Sequence, residues 1–377
     1  SEEILKIFNS FSSYSDDTEI RFVGGCLRKI LNKEESDDID LATNVNPDTV
    51  KNILESNNIK YHETGIDHGT ITAIINKKKF EITSLRKDIL TDGRHAKVTY
   101  TNNWIEDASR RDFSINSIYS DLDGNLYDPY NGRADLKNGL VKFIGDPEKR
   151  ITEDYLRILR YLRFFLNYSK QDHDEKIKKI IKKNISGIKH LSKERLIDEL
   201  KKIVLSEKFT KISFDQFSMN ILELIFPELK NLSLYGKINS DALKFFKNKD
   251  FIFRISLCII DETDNANYFL YKYNFSNKDK KRILFLKENF KNLDSKNFFK
   301  KYNLLKILYH YDSLYLEDLI DFKIFNSKSR FKDLIQLKQT VLESNKPIFP
   351  IKTKKLIEDY KLVEGKELGI KIKKLEN

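Results

Sequence analysis

The chain has 377 residues and a formal net charge of +11, long enough for two or more domains with sizeable cores. Its two cysteines, Cys26 and Cys258, exclude a disulfide framework and point to a reducing compartment. No run of about 18 apolar residues is present to span a membrane; the start, SEEILKIF, lacks a charged-then-apolar pattern, which leaves open a leader already removed, and a cytoplasmic location is the expectation.

In chain order, IRFVGG, GTITAIIN, KKFEITSL and AKVTYT are β-branched and aromatic runs punctuated by Gly, Asn and Asp, which predict strands; helices fit at 27–33 and 47–56. From about residue 150 only helical periodicity is visible, with apolar periods at 193–205, 217–225, 251–260, 266–273, 282–290 and 304–309. The expected architecture is a small α/β or α+β head on a long all-α body. The charge follows that division: residues 1–150 hold 21 Lys/Arg against 26 Asp/Glu, and residues 151–377 hold 47 against 31. A slightly acidic part joined to a basic remainder suggests chemistry in the first and a grip on a polyanion in the second, although lysine-rich surface alone gives the same count.

Four stretches carry candidate chemistry. In FVGGCLRKILNKEESDDIDLAT (22–43), a strand runs into Gly24–Gly25 and an apparent helix start, where backbone N–H groups approach phosphate. Asp38 and Asp40 then alternate with Ile39 and Leu41, so that on a strand both carboxylates point to one side, as a Mg²⁺ shared with substrate phosphates requires. Glu81, between Phe80 and Ile82, is either a third carboxylate on an adjacent strand or a plain outward-facing side chain.

In DASRRDFSINS (107–117), Phe113 and Ile115 are expected to anchor one side in a core, leaving Arg111 suited to clamp a triphosphate and Asp112 or Asn116 a ribose hydroxyl. ITEDYLRILRYLRF (151–164) reads as one helix with Tyr155, Ile158, Leu159, Leu162 and Phe165 buried and Glu153, Asp154, Arg157, Arg160 and Tyr161 elsewhere. Asp154 and Arg157 are neighbours at i, i+3, either paired on a solvated face or reading something.

Taken in order, GG-x-x-R, DxDxAT, RRDFSIN, D-x-x-x-G-x-x-DL (128–136) and EDxLRxLRxxRF resemble the class II tRNA nucleotidyltransferases, the CCA-adding enzymes. These belong with bacterial poly(A) polymerases to the DNA polymerase β-like superfamily. LSKERLIDELKKIVLSE (191–207) and the last 30 residues resemble later segments of the family. The resemblance implies a nucleotidyltransferase head (1–138), a neck bearing a base-reading helix (139–207), a body (208–275) and a tRNA-binding tail (276–377), all helical after the head.

It also implies addition of C, C and A to a tRNA 3′ end from CTP and ATP, with no protein partner. Asp38 and Asp40 would be catalytic and hold Mg²⁺; Gly24, Gly25, Arg28 and Arg111 would contact the triphosphate, and Asp112 and Asn116 the ribose. Asp154 and Arg157 would face the base, with Arg160 and Arg163 nearby. A carboxylate only accepts and a guanidinium only donates, which complements the amino group and ring nitrogen of cytosine and adenine and rejects the reversed edges of guanine and uracil.

Lys29 departs from the family's usual Asp, putting the local ion-pair network in question, and Ser114 replaces a common Thr. RKDILTDGRHAKVTYTNNWIE (86–106) retains the flexible loop that the family associates with switching from C to A, anchored near Arg86 and Asp92; this favours a CCA adder or an A-adder over a CC-adder. Poly(A) polymerase is the next alternative, then a non-catalytic RNA-binding module. HDE at 173–175 is the only HD dipeptide, so a phosphohydrolase centre is not expected.

Overall fold

Of the β-branched runs near the N-terminus, IRFVGG, GTITAIIN and KKFEITSL join one sheet and AKVTYT a separate two-stranded ribbon, and the described remainder is mainly helical. The computed structural model describes every residue except 37, 92–95, 239, 327–330, 345, 349–353, 355–356, 359–364 and 377. Two compact units divide at Pro227–Glu228, inside the stretch 208–275 expected as the body. The first unit holds 37 Lys/Arg and 37 Asp/Glu, the second 31 and 20, so the whole net charge of +11 lies in the second.

The first unit opens with α1 (Glu2–Ser12), β1 (Ile20–Val23), α2 (Gly25–Leu31), β2 (Ile39–Thr43), α3 (Pro47–Ser56), β3 (Lys60–Gly65), β4 (Thr70–Ile75) and β5 (Lys78–Ser84). The ribbon β6 (Arg86–Thr91) and β7 (Ala96–Tyr100), α4 (Trp104–Arg110), β8 (Tyr119–Ser120), β9 (Leu126–Tyr127) and α5 (Gly132–Asn138) complete the head. Then come α6 (Pro147–Glu153), α7 (Leu156–Tyr168), α8 (Glu175–Asn184), α9 (Lys193–Leu205) and α10 (Gln216–Ile225).

Among the described residues the main sheet has the order β3-β4-β5-β2-β1-β8-β9, and β2 with β5 is its parallel pairing. Strand alternation sorts side chains between two cores. Ile39, Leu41, Phe80 and Ile82 join Ile7, Phe8 and Phe11 of α1 and Val50, Ile53 and Leu54 of α3 on one face. Ala42 packs on the other with Val23, Trp104, Ala108 and Tyr119. Asp40, two residues from Ala42, therefore shares this second face, as does Glu81, its register partner on β5. The expected flexible loop is flanked by the paired strands β6 and β7; its predicted anchor Asp92 lies outside the described residues.

The stretch 151–164 is two helices, not one. Asp154 closes α6 in an extended conformation (φ −152°, ψ 103°). Its Oδ1 accepts the Leu156 N–H at 3.1 Å while its carbonyl accepts the Arg157 N–H at 3.0 Å, so the acid caps a second helix instead of continuing the first. Tyr155 fills the joint over Gly187, where a Cβ would lie 2.0 Å from the tyrosine ring. Tyr161, expected outside the apolar stripe, is buried: its hydroxyl meets His173 Nδ1 at 3.0 Å. His173 also stacks on Phe165 and bonds Asp215 at 3.0 Å, so the HD dipeptide is a packing element.

The second unit holds α11 (Ser240–Phe246), α12 (Phe251–Ile259), α13 (Asn265–Lys272), α14 (Asn277–Asn289), α15 (Lys301–His310), α16 (Ser313–Asn326), α17 (Phe331–Leu342) and a last helix, Lys366–Glu376. α12 is buried along its whole length, and buried Arg282 on α14 joins Asp250 to Asp318 on α16. Both cysteines are buried and free, and no helix among the described residues is long and apolar enough to cross a membrane.

Candidate active site

A cavity of about 490 Å³ in the first unit gathers every expected site residue except Asp38, which lies exposed beside it just before β2. Its head side is the β1–α2 turn. Gly24 has φ +74° and ψ −130°, a conformation open to glycine, and a Cβ there would sit 3.4 Å from Asp40 Oδ2 and 3.7 Å from Arg111 Nη1. It is the positive φ of Gly24, more than the room beside it, that calls for glycine in this turn.

Burial pushes the Asp40 carboxyl above the usual range and Asp38 adds to this, against the opposing Arg111 guanidinium and the Gly25 N–H. Glu81 is raised as well, by burial and then by Asp40 and Asp38. Three carboxylates crowd one face, and a divalent cation would relieve their repulsion, so the donor set fits Mg²⁺. Among the described residues no group of three acidic, His or Cys side chains is placed to hold a metal ion by itself.

Arginines make up the rest. Arg28 stacks over Phe164 (4.8 Å) and Tyr168 (5.0 Å), donates to Asn116 Oδ1 and keeps a buried Nε with no partner among the described residues. Asp112 Oδ1 accepts Asn116 Nδ2 at 2.8 Å and the Phe113 N–H at 2.9 Å, and its Oδ2 accepts Arg160 Nε at 2.7 Å. Burial opposes ionisation of Asp112, but Arg160 and Asn116 outweigh it and hold the carboxyl below its ordinary value. Arg163 donates to buried Glu199 on α9 at 2.5 Å; burial and the nearby Arg160 and Arg28 nevertheless pull it below the usual arginine value. Guanidiniums crowded this closely await an anion.

Asp154 and Arg157 both line the cavity but do not pair with each other. Asp154 Oδ2 accepts Arg195 Nη2 at 2.8 Å, whereas Arg157 Nη1 donates to Glu153 Oε2 at 2.7 Å and to the Arg150 carbonyl at 2.6 Å. Of the two alternatives, the solvated i, i+3 pair does not form: the helix break leaves the acid bonded to Arg195 of α9.

Sequence reasoning missed Arg110, Arg195 and Phe164 in the lining, and Asp107 behind it. The spacing of Asp107 from Arg110 and Arg111, three and four residues within one helical turn, was the available signal for the last. The D-x-x-x-G-x-x-DL motif is structural: Asp128 accepts the Gly132 and Arg133 N–H groups, and Asp135 accepts the Ser114 hydroxyl at 2.7 Å. Ser114 therefore makes the bond with its hydroxyl alone. Lys29 forms no ion pair among the described residues, and Arg28 takes Asn116 as partner instead.

This mixed-sheet head with a carboxylate-bearing strand, followed by helices, is the fold of the DNA polymerase β-like nucleotidyltransferases. Residues 20–142 match the family model described as "Poly A polymerase head domain", and 173–232 the one described as "Probable RNA and SrmB- binding site of polymerase A". Over these segments the chain is similar to the tRNA nucleotidyltransferase/poly(A) polymerase family. It is 37% identical over 279 residues to mouse "CCA tRNA nucleotidyltransferase 1, mitochondrial", covering 73% of this chain and 64% of the mouse protein.

The "CCA-adding enzyme" of Lactobacillus helveticus is 39% identical over 187 residues, 50% of this chain and 46% of that protein. The chain thus spans less than two thirds of the length of these relatives. Among solved structures, the Bacillus stearothermophilus CCA-adding enzyme in complex with CTP superposes with a TM-score of 0.77 at 20% identity, covering 100% of this chain and 91% of that one. A tRNA nucleotidyltransferase complexed with a primer tRNA and an incoming ATP analog gives 0.66 at 22% identity, covering 89% and 98%.

Proposed function

We propose that the protein adds C, C and A to the 3′ end of tRNA from CTP and ATP, without a nucleic-acid template and with release of pyrophosphate. The observation that carries this reading is one cavity in which Asp40 and the diglycine, the crowded arginines, and the Asp154 and Arg157 side chains converge. Relatives and solved structures named for CCA addition, some with CTP or with tRNA, support the choice of substrates. In the reaction, the primer 3′-oxygen bonds the α-phosphorus as the bond to the bridging oxygen breaks and pyrophosphate leaves.

Arg28 and Arg111 orient the triphosphate, the Asp112–Asn116 pair meets the ribose, and Asp154 and Arg157 select the base, with Arg160 and Arg163 holding the surrounding charge. Asp38 and Asp40 would hold Mg²⁺, which when bound activates the attacking hydroxyl and neutralises developing phosphate charge. The head (1–138) performs this chemistry, the neck (139–207) reads the base, and beyond the nearly neutral body (208–275) the basic helices of the tail (276–377) hold the tRNA phosphates. The proposed compartment is the reducing cytoplasm; the mammalian relatives are named as mitochondrial, and cell fractionation decides between the two.

The test offers the purified protein tRNA transcripts ending before CCA, after C and after CC, with each labelled NTP. Full CCA addition is expected, and Asp40→Ala or Asp38→Ala should abolish it while tRNA affinity stays within a few-fold. Addition of C alone, of A alone, or of long A tracts to any RNA end replaces the reading with a CC-adder, an A-adder or a poly(A) polymerase.

A further inference from the structure

Two adjacent arginines, Arg110 and Arg111, line the cavity although their like charges repel. What holds them together is Asp107, one turn earlier on α4 and only 1% exposed. The carboxylate forks between them. Oδ1 accepts Arg110 Nε at 3.0 Å and Nη2 at 2.6 Å; Oδ2 accepts Arg111 Nε at 3.2 Å and Nη2 at 3.1 Å.

The Tyr119 hydroxyl, from β8, donates to the same Oδ2 at 2.7 Å and accepts from Arg111 Nε at 3.1 Å. From outside α4, the Arg86 N–H at the base of the β6–β7 ribbon reaches Oδ1 at 3.4 Å, and Arg150 of α6 donates to the carbonyls of Arg110 and Arg111. Each guanidinium therefore spends its Nε/Nη2 edge on one buried carboxylate, which leaves Nη1 on the far side; there Arg111 Nη1 also donates to the Asn116 carbonyl at 3.4 Å. Arg111 Nη1 points back at the glycine turn, 3.7 Å from where a Gly24 Cβ would be.

We infer that Asp107 is the positioning residue of the triphosphate site: it sets which edge of Arg110 and Arg111 meets the phosphates and touches no substrate itself. The inference rests on reading the cavity as a nucleoside triphosphate site, and it extends that site to Arg110. A planar guanidinium binds phosphate well only when its fork is aimed, so the carboxylate matters through direction as much as through charge. Neither arginine bonds Asp154, whose Oδ2 is taken by Arg195 of α9. The consequence is specific: Asp107 governs affinity for the phosphates and is indifferent to the base.

Binding measured on the full chain without tRNA tests this, with CTP, ATP, CMP and inorganic tripolyphosphate as probes. Asp107→Asn keeps the shape and removes the charge. It should weaken CTP, ATP and tripolyphosphate in parallel by about ten- to a hundredfold, the scale expected when a site is misaimed, and leave CMP within about twofold. Tyr119→Phe, which removes a single donor from Oδ2, should show the same pattern at smaller size, and it serves if the Asn variant does not fold. Equal weakening of CMP and CTP would reduce Asp107 to a fold-maintaining role, and unchanged tripolyphosphate affinity in a folded variant would overturn the inference outright. A wild-type protein that binds these triphosphates but adds nothing to tRNA would leave the positioning role standing while the CCA reading fell.

Discussion

Replacing Asp154 by Asn separates the two jobs the structure gives this side chain. The amide oxygen can still accept the Leu156 N–H, so the cap on α7 survives. The other oxygen becomes an NH₂, which faces Arg195 Nη2 across a bond now 2.8 Å long and turns an acceptor into an opposing donor. The two side chains are 18% and 25% exposed, so the lost charge-assisted bond costs about 1–2 kcal/mol, reduced from the buried value by solvent. For a unit of this size that lowers Tm by roughly 2–8 °C.

The effect on base choice is larger in kind. An NH₂ in place of the acceptor no longer matches the amino group of cytosine, and it removes a mismatch worth about 1–3 kcal/mol against uracil. The ratio of kcat/KM for CTP over UTP should fall by roughly ten- to a hundredfold on a tRNA ending before CCA. Steady-state incorporation of all four NTPs, run beside a thermal melt, reads both quantities. A lowered Tm with an unchanged CTP/UTP ratio would show that Asp154 is only a cap and a strut to α9.

The acid side follows from the same site. The Asp107 carboxyl is buried, which alone would raise it, yet Arg111 and Arg110 hold it well below the ordinary Asp value of 3.8. A depressed native pKa means stability that is present above the unfolded value and lost as pH falls, so Tm should drop between about pH 5 and pH 3, and more shallowly in Asp107→Asn; parallel melting curves for the two proteins would contradict this. Replacing the exposed Lys371, Lys373 and Lys374 of the last helix by Gln should flatten the salt dependence of tRNA affinity by about 0.7–0.9 in log–log slope for each phosphate no longer neutralised, and an unchanged slope would place the phosphate-binding lysines elsewhere. Shortening the β6–β7 ribbon between 88 and 98 should spare addition of the two cytidines and lose the terminal adenosine, whereas equal loss of both would assign the ribbon to folding.

Local chemistry made much of this protein legible before any coordinates. The β-branched runs at 70–75 and 78–84, the capped and proline-led helix at 47–56, and the apolar period at 193–205 each carry their own conformational preference, and they appear as β4, β5, α3 and α9. The diglycine and Asp40 were readable for the same reason, one depending on φ at a single residue and the other on strand parity, whereas Asp38 precedes β2 and lies outside the cavity lining. Ordered motifs also placed eleven of the twelve expected site residues in what proved to be one cavity.

The sequence alone could not determine which partners those residues take. Asp154 and Arg157 are neighbours on paper, but a side chain that can accept the N–H two residues on, at Leu156, breaks the helix there, and the acid then finds Arg195 forty-one positions away. Tyr161 looks solvent-facing until His173 and Phe165 close over it. Asp107 looks like one more surface acid until Tyr119 and two arginines bury it. Ion pairs and burial are set by what other elements bring within about 4 Å, and that distance is a property of the folded chain, not of spacing along it.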